Sequence, residues 1–254
     1  MNYPYNRDLL YVHLNERNQY VLSCGIEFSD FVRSLNDSIR NILLLQHQSE
    51  EGYYNSHTLL HYVPDDRIEK LMAEPVSQFG KFCWIDFEEV EGLNFLAPGE
   101  LAEILYLGHV KHHLKLPFYN QLGNRFAYLA QDDGWFNKTY YRNLNDFYRM
   151  LGFVIPEKIS MLKPEKNLFG FKKKKTYPLI AKELLVALNP AFHEGAVFSI
   201  SGISQNRSRV EIPLWVIGDY VNMDEVYDEY MNAKNQSPAA MLIFDKKQRE
   251  WELQ

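Results

Sequence analysis

The residues best able to do chemistry are histidines. His109 and His113 stand four apart, as do His57 and His61. On a helix that spacing puts two imidazoles on one face, where they can share a metal ion. His112 joins the first pair. At about 100° per residue an apolar stripe runs through Leu101, Ile104, Leu105 and Gly108, with His112 inside it and His109, His113 and Tyr106 beside it. Glu103 points away, so a metal shell of His109 and His113 needs Asp86 or Glu88 from another element. The familiar metalloprotease helix has Glu directly after its first His, whereas Val110 follows His109 and Thr58 follows His57. The segment from His57 to Val63 reads as readily as a strand, and there His57 and His61 would stand about 13 Å apart. A hydrogen-bonded core role for His112, with its neighbours half-exposed, is the favoured reading.

Asp86, with Glu88, Glu89 and Glu91, ends a strand and alternates to the face opposite Phe87. Paired acids there could move protons or hold a cation, or could solvate a turn. The densest mixture of rings and charges is Tyr128–Arg142, where Trp135, Phe136, Tyr140 and Tyr141 alternate with Asp132, Asp133, Asn137, Lys138 and Arg142. Rigid aromatics supply contact area and polar groups supply direction. Asp132, Asp133, Trp135, Lys138, Tyr140 and Arg142 are therefore the candidate binding residues. Lys172–Lys175 could touch phosphates but reads as a solvated connection, which makes nucleic acid an unfavoured partner. There is no phosphate loop, dinucleotide fingerprint or Gly-x-Ser-x-Gly elbow, and Cys24 has no partner base at a telling spacing.

These residues need elements to hold them. Strands are expected at 9–14 and 20–24, 42–46, 81–88, 125–130 and 135–141, 196–201, 209–217, 240–244 and 249–253. Helices are expected at 29–35, after an Asp65 or Asp66 cap with Ile68, Leu71 and Met72 on it, and from Pro98 to Leu114. Two short helices near 143–151 and 156–162 follow, then 179–188 and 223–233. Gly134 turns the hairpin at Asp132-Asp133-Gly134. This order predicts an α+β fold with mainly antiparallel sheets, flanking helices and two subdomains. They are an N-terminal domain over 1–163 and a smaller C-terminal domain over 179–254, joined by a linker at 164–178 marked by Pro164, Gly170, four lysines and Pro178.

Composition sets the class. A chain of 254 residues with 46% hydrophobic and 24% charged residues can bury a core, and a net charge of −6 offers nucleic acid no general attraction. Aromatics at 15% serve both cores and recognition surfaces. No apolar run reaches the roughly 18 residues of a membrane span, and Met1–Asp8 lacks a signal peptide's pattern. Cys24 and Cys83 lie in apolar segments, as buried thiols of a reducing compartment do.

The segments Leu22-Ser23-Cys24-Gly25, Trp84-Ile85-Asp86-Phe87-Glu88, Leu105-Tyr106-Leu107-Gly108-His109 and Asp132–Arg142 resemble an uncharacterised bacterial family over most of the chain. Some of its members carry the label "oxalate:formate antiporter". Such a carrier needs many apolar helices and this chain has none, so the resemblance implies a bacterial cytosolic setting and no catalytic residues. The expectation is a soluble, cytoplasmic, non-enzymatic protein that binds a protein partner or small ligand through the 128–142 hairpin, with no cofactor. The alternatives are a metal-dependent hydrolase, in which a divalent ion sits on His109, His113 and Asp86, and a nucleic-acid binder.

Overall fold

The structure is a computed structural model that describes residues 8–35, 38–74, 81–110, 115–162, 165–166, 172–173 and 176–254. In chain order it opens with β1 (Leu9–Asn15), β2 (Tyr20–Cys24), α1 (Phe28–Ser34), β3 (Asn41–Leu44), β4 (Tyr53–Tyr54) and β5 (His61–Pro64). Next come α2 (Asp65–Ala73), β6 (Cys83–Phe87), α3 (Pro98–Val110), β7 (Phe126–Gln131), β8 (Phe136–Tyr141) and α4 (Leu144–Leu162). A short antiparallel pair, β9 (Glu165–Lys166) and β10 (Lys172–Lys173), precedes α5 (Lys182–Ala187), α6 (Asn189–His193) and β11 (Ala196–Ser199). The chain closes with β12 (Ser204–Gln205), β13 (Arg209–Val216), α7 (Met223–Ala233), β14 (Ala240–Asp245) and β15 (Glu250–Leu253). This is an α+β fold built on antiparallel pairing.

Two compact units emerge. One contains residues 1–14, 24–26 and 145–254, the other residues 15–23 and 27–144. In the first, strands run β15-β14-β13-β11-β1, with β12 also on β13. The expected closing hairpin is there, with Leu242 opposite Leu253 and Asp245 opposite Glu250. Helix α7 spans the expected 223–233 because Asn222 caps it, its side chain accepting the Glu225 amide at 2.9 Å.

Helix α4 corrects the expectation of two short helices. Pro156 lies inside one continuous helix of 19 residues. Proline has no N–H, so the Gly152 carbonyl one turn earlier loses its helical donor. The Ile180 amide donates to that carbonyl instead, at 3.1 Å. Gly152 makes the approach possible: a Cβ there would lie 2.7 Å from the Ile180 carbonyl oxygen. The break read at Pro156 is therefore a docking point for the segment before α5. That segment is extended, so the helix expected at 179–188 begins only at Lys182.

In the second unit the order is β2-β8-β7-β6-β3-β5-β4. Strand β6 is buried along its whole length, with β3 and β7 on its two sides. Helix α2 starts at Asp65 with Pro64 in the cap position, so Asp65 and Asp66 occupy the first turn instead of capping it. On α3 the buried residues are Ile104, Leu107 and Gly108, while Leu105 is exposed. Gly108 sets this rotation, because a Cβ there would meet the Leu45 side chain at 2.7 Å. Residues 111–114, where the same helix was expected to continue, lie outside the described residues.

Gly152→Ala is expected to lower the urea midpoint, costing about 1–3 kcal/mol through the forced shift of the Ile180 segment. Gly99→Ala is the control, since a Cβ at Gly99 meets nothing within 4 Å. It should raise stability by about 0.5 kcal/mol through helix propensity alone. Equal effects at the two positions would remove the docking explanation.

Candidate functional site

The expected hairpin of β7 and β8 forms, with Phe126 opposite Tyr141 and Gln131 opposite Phe136. Its turn puts Gly134 at φ 91 and Asp132 at φ 45, so two residues adopt the left-handed conformation. Both faces of β8 are covered. Phe136 and Tyr140 are fully buried, and so are Asn137, Thr139 and Tyr141 on the opposite face. Asn137 accepts hydrogen bonds from the hydroxyls of Ser23 at 2.8 Å and Thr139 at 3.3 Å. The Lys138 ammonium stands over the rings of Tyr20, at 4.2 Å, and Tyr140, at 5.3 Å. Burial holds the Lys138 pKa below the ordinary lysine range. Asp132 and Arg142 are exposed, Trp135 is half-buried, and Arg142 lies over the Phe118 ring at 5.3 Å. The Asp133 side chain lies outside the description. Of the six candidate binding residues the structure brings Lys138 and Tyr140 together, with the Tyr140 ring in the core.

Asp86 is buried at the end of β6 and faces the start of β7. One oxygen accepts the backbone amides of Arg125, at 2.9 Å, and Phe126, at 2.7 Å. The other lies 3.3 Å from the Arg125 Nε. Burial pushes the Asp86 carboxyl up to about 6, while those amides and the guanidinium pull the other way. A carboxyl near neutrality is suited to proton transfer, but both oxygens here hold backbone and guanidinium in place. His109 is exposed in the last turn of α3, and His112 and His113 lie outside the described residues. His57 sits in an exposed turn. His61 is buried on β5 with its ring stacked on Tyr54 at 4.7 Å, and burial lowers its pKa. Among the described residues no group of three or more His, Cys, Asp or Glu is placed to hold a metal ion. Cys24 and Cys83 are buried and not joined in a disulfide. Of the lysine run, Lys172 and Lys173 form β10, and Lys174 and Lys175 lie outside the described residues.

A concave feature of the second unit lies elsewhere, between α1 and α2. It is an open groove of about 850 Å³. On α2, Asp65, Ile68, Glu69 and Met72 follow the spacing i, i+3, i+4, i+7, which aligns them on one face, and all four line the groove. Leu71 turns the other way, into the core. From α1 come Val32 and Arg33, then Leu35 just beyond its end. Ile39 and Ile68 form a buried floor, Val32, Leu35 and Met72 are half-buried, and the charged side chains stand exposed at the rim.

No family model matches the chain, no curated protein matches it, and no solved structure matches it. Function therefore rests on this geometry alone. The sequence named Ile68, Leu71 and Met72 as the apolar set of α2. The missed signal is that Ile68 and Met72 share a face with two acids and Leu71 does not.

The Asp86 carboxyl should titrate near 6 by carbon NMR, and Arg125→Met should raise that midpoint by removing the cation. The folded value lies above the ordinary 3.8, so Asp86 binds its proton more readily when folded. Its contribution to stability is full below about pH 4 and falls as pH rises to about 6. The stability difference between wild type and Asp86→Asn should decline across that window by about 3 kcal/mol. A flat difference would refute the assignment.

Proposed function

We propose that this protein is a non-catalytic binding protein that receives its partner in the groove between α1 and α2. The observation that carries this reading is the groove itself: an apolar floor and walls, a charged rim, and a volume within the roughly 300–1,000 Å³ of ligand clefts. Met72 in the wall supports it, because an unbranched thioether repacks around ligands of different shape. Asp86, His61 and the two cysteines support it too. Asp86 is engaged by backbone amides and Arg125, His61 is buried under Tyr54, and both cysteines are buried.

A cytoplasmic setting belongs to the same proposal, supported by two buried thiols that are not joined in a disulfide, as is usual in reducing compartments. Among the described residues no helix is long and apolar enough to cross a membrane. The turn of the β7–β8 hairpin, with the exposed Asp132 and the half-buried Trp135, is the competing surface for the same kind of role.

A methyl-NMR screen of the full chain against a fragment and peptide library separates the two. Binders should shift the Met72, Ile39 and Ile68 methyls and lose affinity in Met72→Glu while binding Trp135→Ala unchanged. Hits that spare those methyls and vanish in Trp135→Ala would move the site to the hairpin. A complete absence of hits at the groove would overturn the reading.

A further inference from the structure

We infer that the occupant of the α1–α2 groove is a basic amphipathic helix of a partner protein; this rests on the binding reading above and adds the partner's chemistry. The first argument is charge. Among the described residues, Asp65, Asp66 and Glu69 line the rim against a single cation, Arg33. Asp65 and Asp66 lie in the first turn of α2, where carboxylates offset the positive end of the helix dipole. Glu69 lies beyond that turn, so the dipole does not account for its charge. Val32 and Arg33 belong to the last turn of α1, whose carbonyl end carries negative partial charge. Arg33 already offsets that end, so it is the α2 wall, with its three acids, that favours a cationic rim on the occupant.

The second argument is shape. The groove is open to solvent, and of its lining only Ile39 and Ile68 are buried, whereas small ligands are usually enclosed on most of their surface. A helix laid into an open groove buries one stripe and leaves the other wet, reading the groove through anchors at i, i+3, i+4 and i+7. The wall of α2 is nine residues, about 13 Å at the usual rise, enough for two or three turns of a partner helix. Lysine and arginine stems can cross the apolar walls of Val32, Leu35 and Met72 with their heads at Asp66 and Glu69.

Fluorescein-labelled model peptides test this with the full chain: a Leu/Lys amphipathic helix, the same residues scrambled, and a Leu/Glu helix of identical pattern. The Leu/Lys helix should bind saturably by anisotropy, more weakly as salt rises, and roughly tenfold more weakly to Glu69→Lys and to Asp66→Lys. Both substitutions are at exposed positions, so the fold is retained and circular dichroism checks it. Met72→Glu should abolish the binding, and the scrambled and Leu/Glu peptides should bind at least roughly tenfold less. Equal binding of the scrambled peptide, or indifference to all three variants, would reduce the effect to general attraction for an acidic protein and overturn the inference. Preference for the Leu/Glu helix would overturn it as well. Small apolar fragments that shift Met72 while no peptide binds would overturn the helical partner and leave the groove reading standing. Neither fragments nor peptides at the groove would remove both.

Discussion

Phe31 is the ring on which the second unit is assembled. It lies on α1 and meets Trp84 of β6 at 5.7 Å, Phe126 and Tyr128 of β7 at 5.2 and 6.1 Å, and Tyr141 of β8 at 6.2 Å. Phe28, one turn before it, packs edge-on against Phe82 and Trp84. A helix of seven residues has no stability of its own in water. Its capping box helps, with the Asp30 carboxylate accepting the Glu27 amide, but the aromatic contacts fix it to three strands at once. Phe28, Phe31, Val32 and Leu35 follow the spacing i, i+3, i+4, i+7 on one stripe, where the two rings are buried and Val32 and Leu35 are half-buried beside them. The groove begins where that stripe leaves the core, so the core and the candidate site are neighbours along the same short helix.

Aromatic content was therefore spent on the interior. The rings of β8 gave the sequence its most site-like segment, yet Phe136, Tyr140 and Tyr141 are fully buried. Polar residues follow the same rule. Asp86 organises the first amides of β7, and the buried Asn124 accepts the Tyr119 amide and donates to the Pro117 carbonyl. Side chains with catalytic character are here consumed by backbone groups that strands and turns leave unpaired.

Legibility followed the range of the deciding interaction. Strands β6, β7, β8 and β13 to β15 and helix α7 lie where the sequence places them, because the signals that set them lie within a few residues. The continuity of α4 did not show, because its missing hydrogen bond is resolved by Ile180, far along the chain. The face of α3 was misread by one position for a similar reason: Leu45 decides it, through Gly108. For the groove, the helix and its apolar residues were visible at 65–73, but which of them lacked a cover depends on α1, and α1 depends on Phe31.

The Gly152, Pro156 and Ile180 arrangement also bears on how such a chain can evolve. Proline reserves one carbonyl for a distant amide, and glycine clears the path to it. A change at 156 that restored an N–H would create a second suitor for the same acceptor, and a change at 152 would close the route. The three positions therefore form an epistatic set, in which each residue is acceptable only in the company of the other two. Drift along this helix is then constrained at its most irregular turn, where a reader of propensities would expect the most freedom.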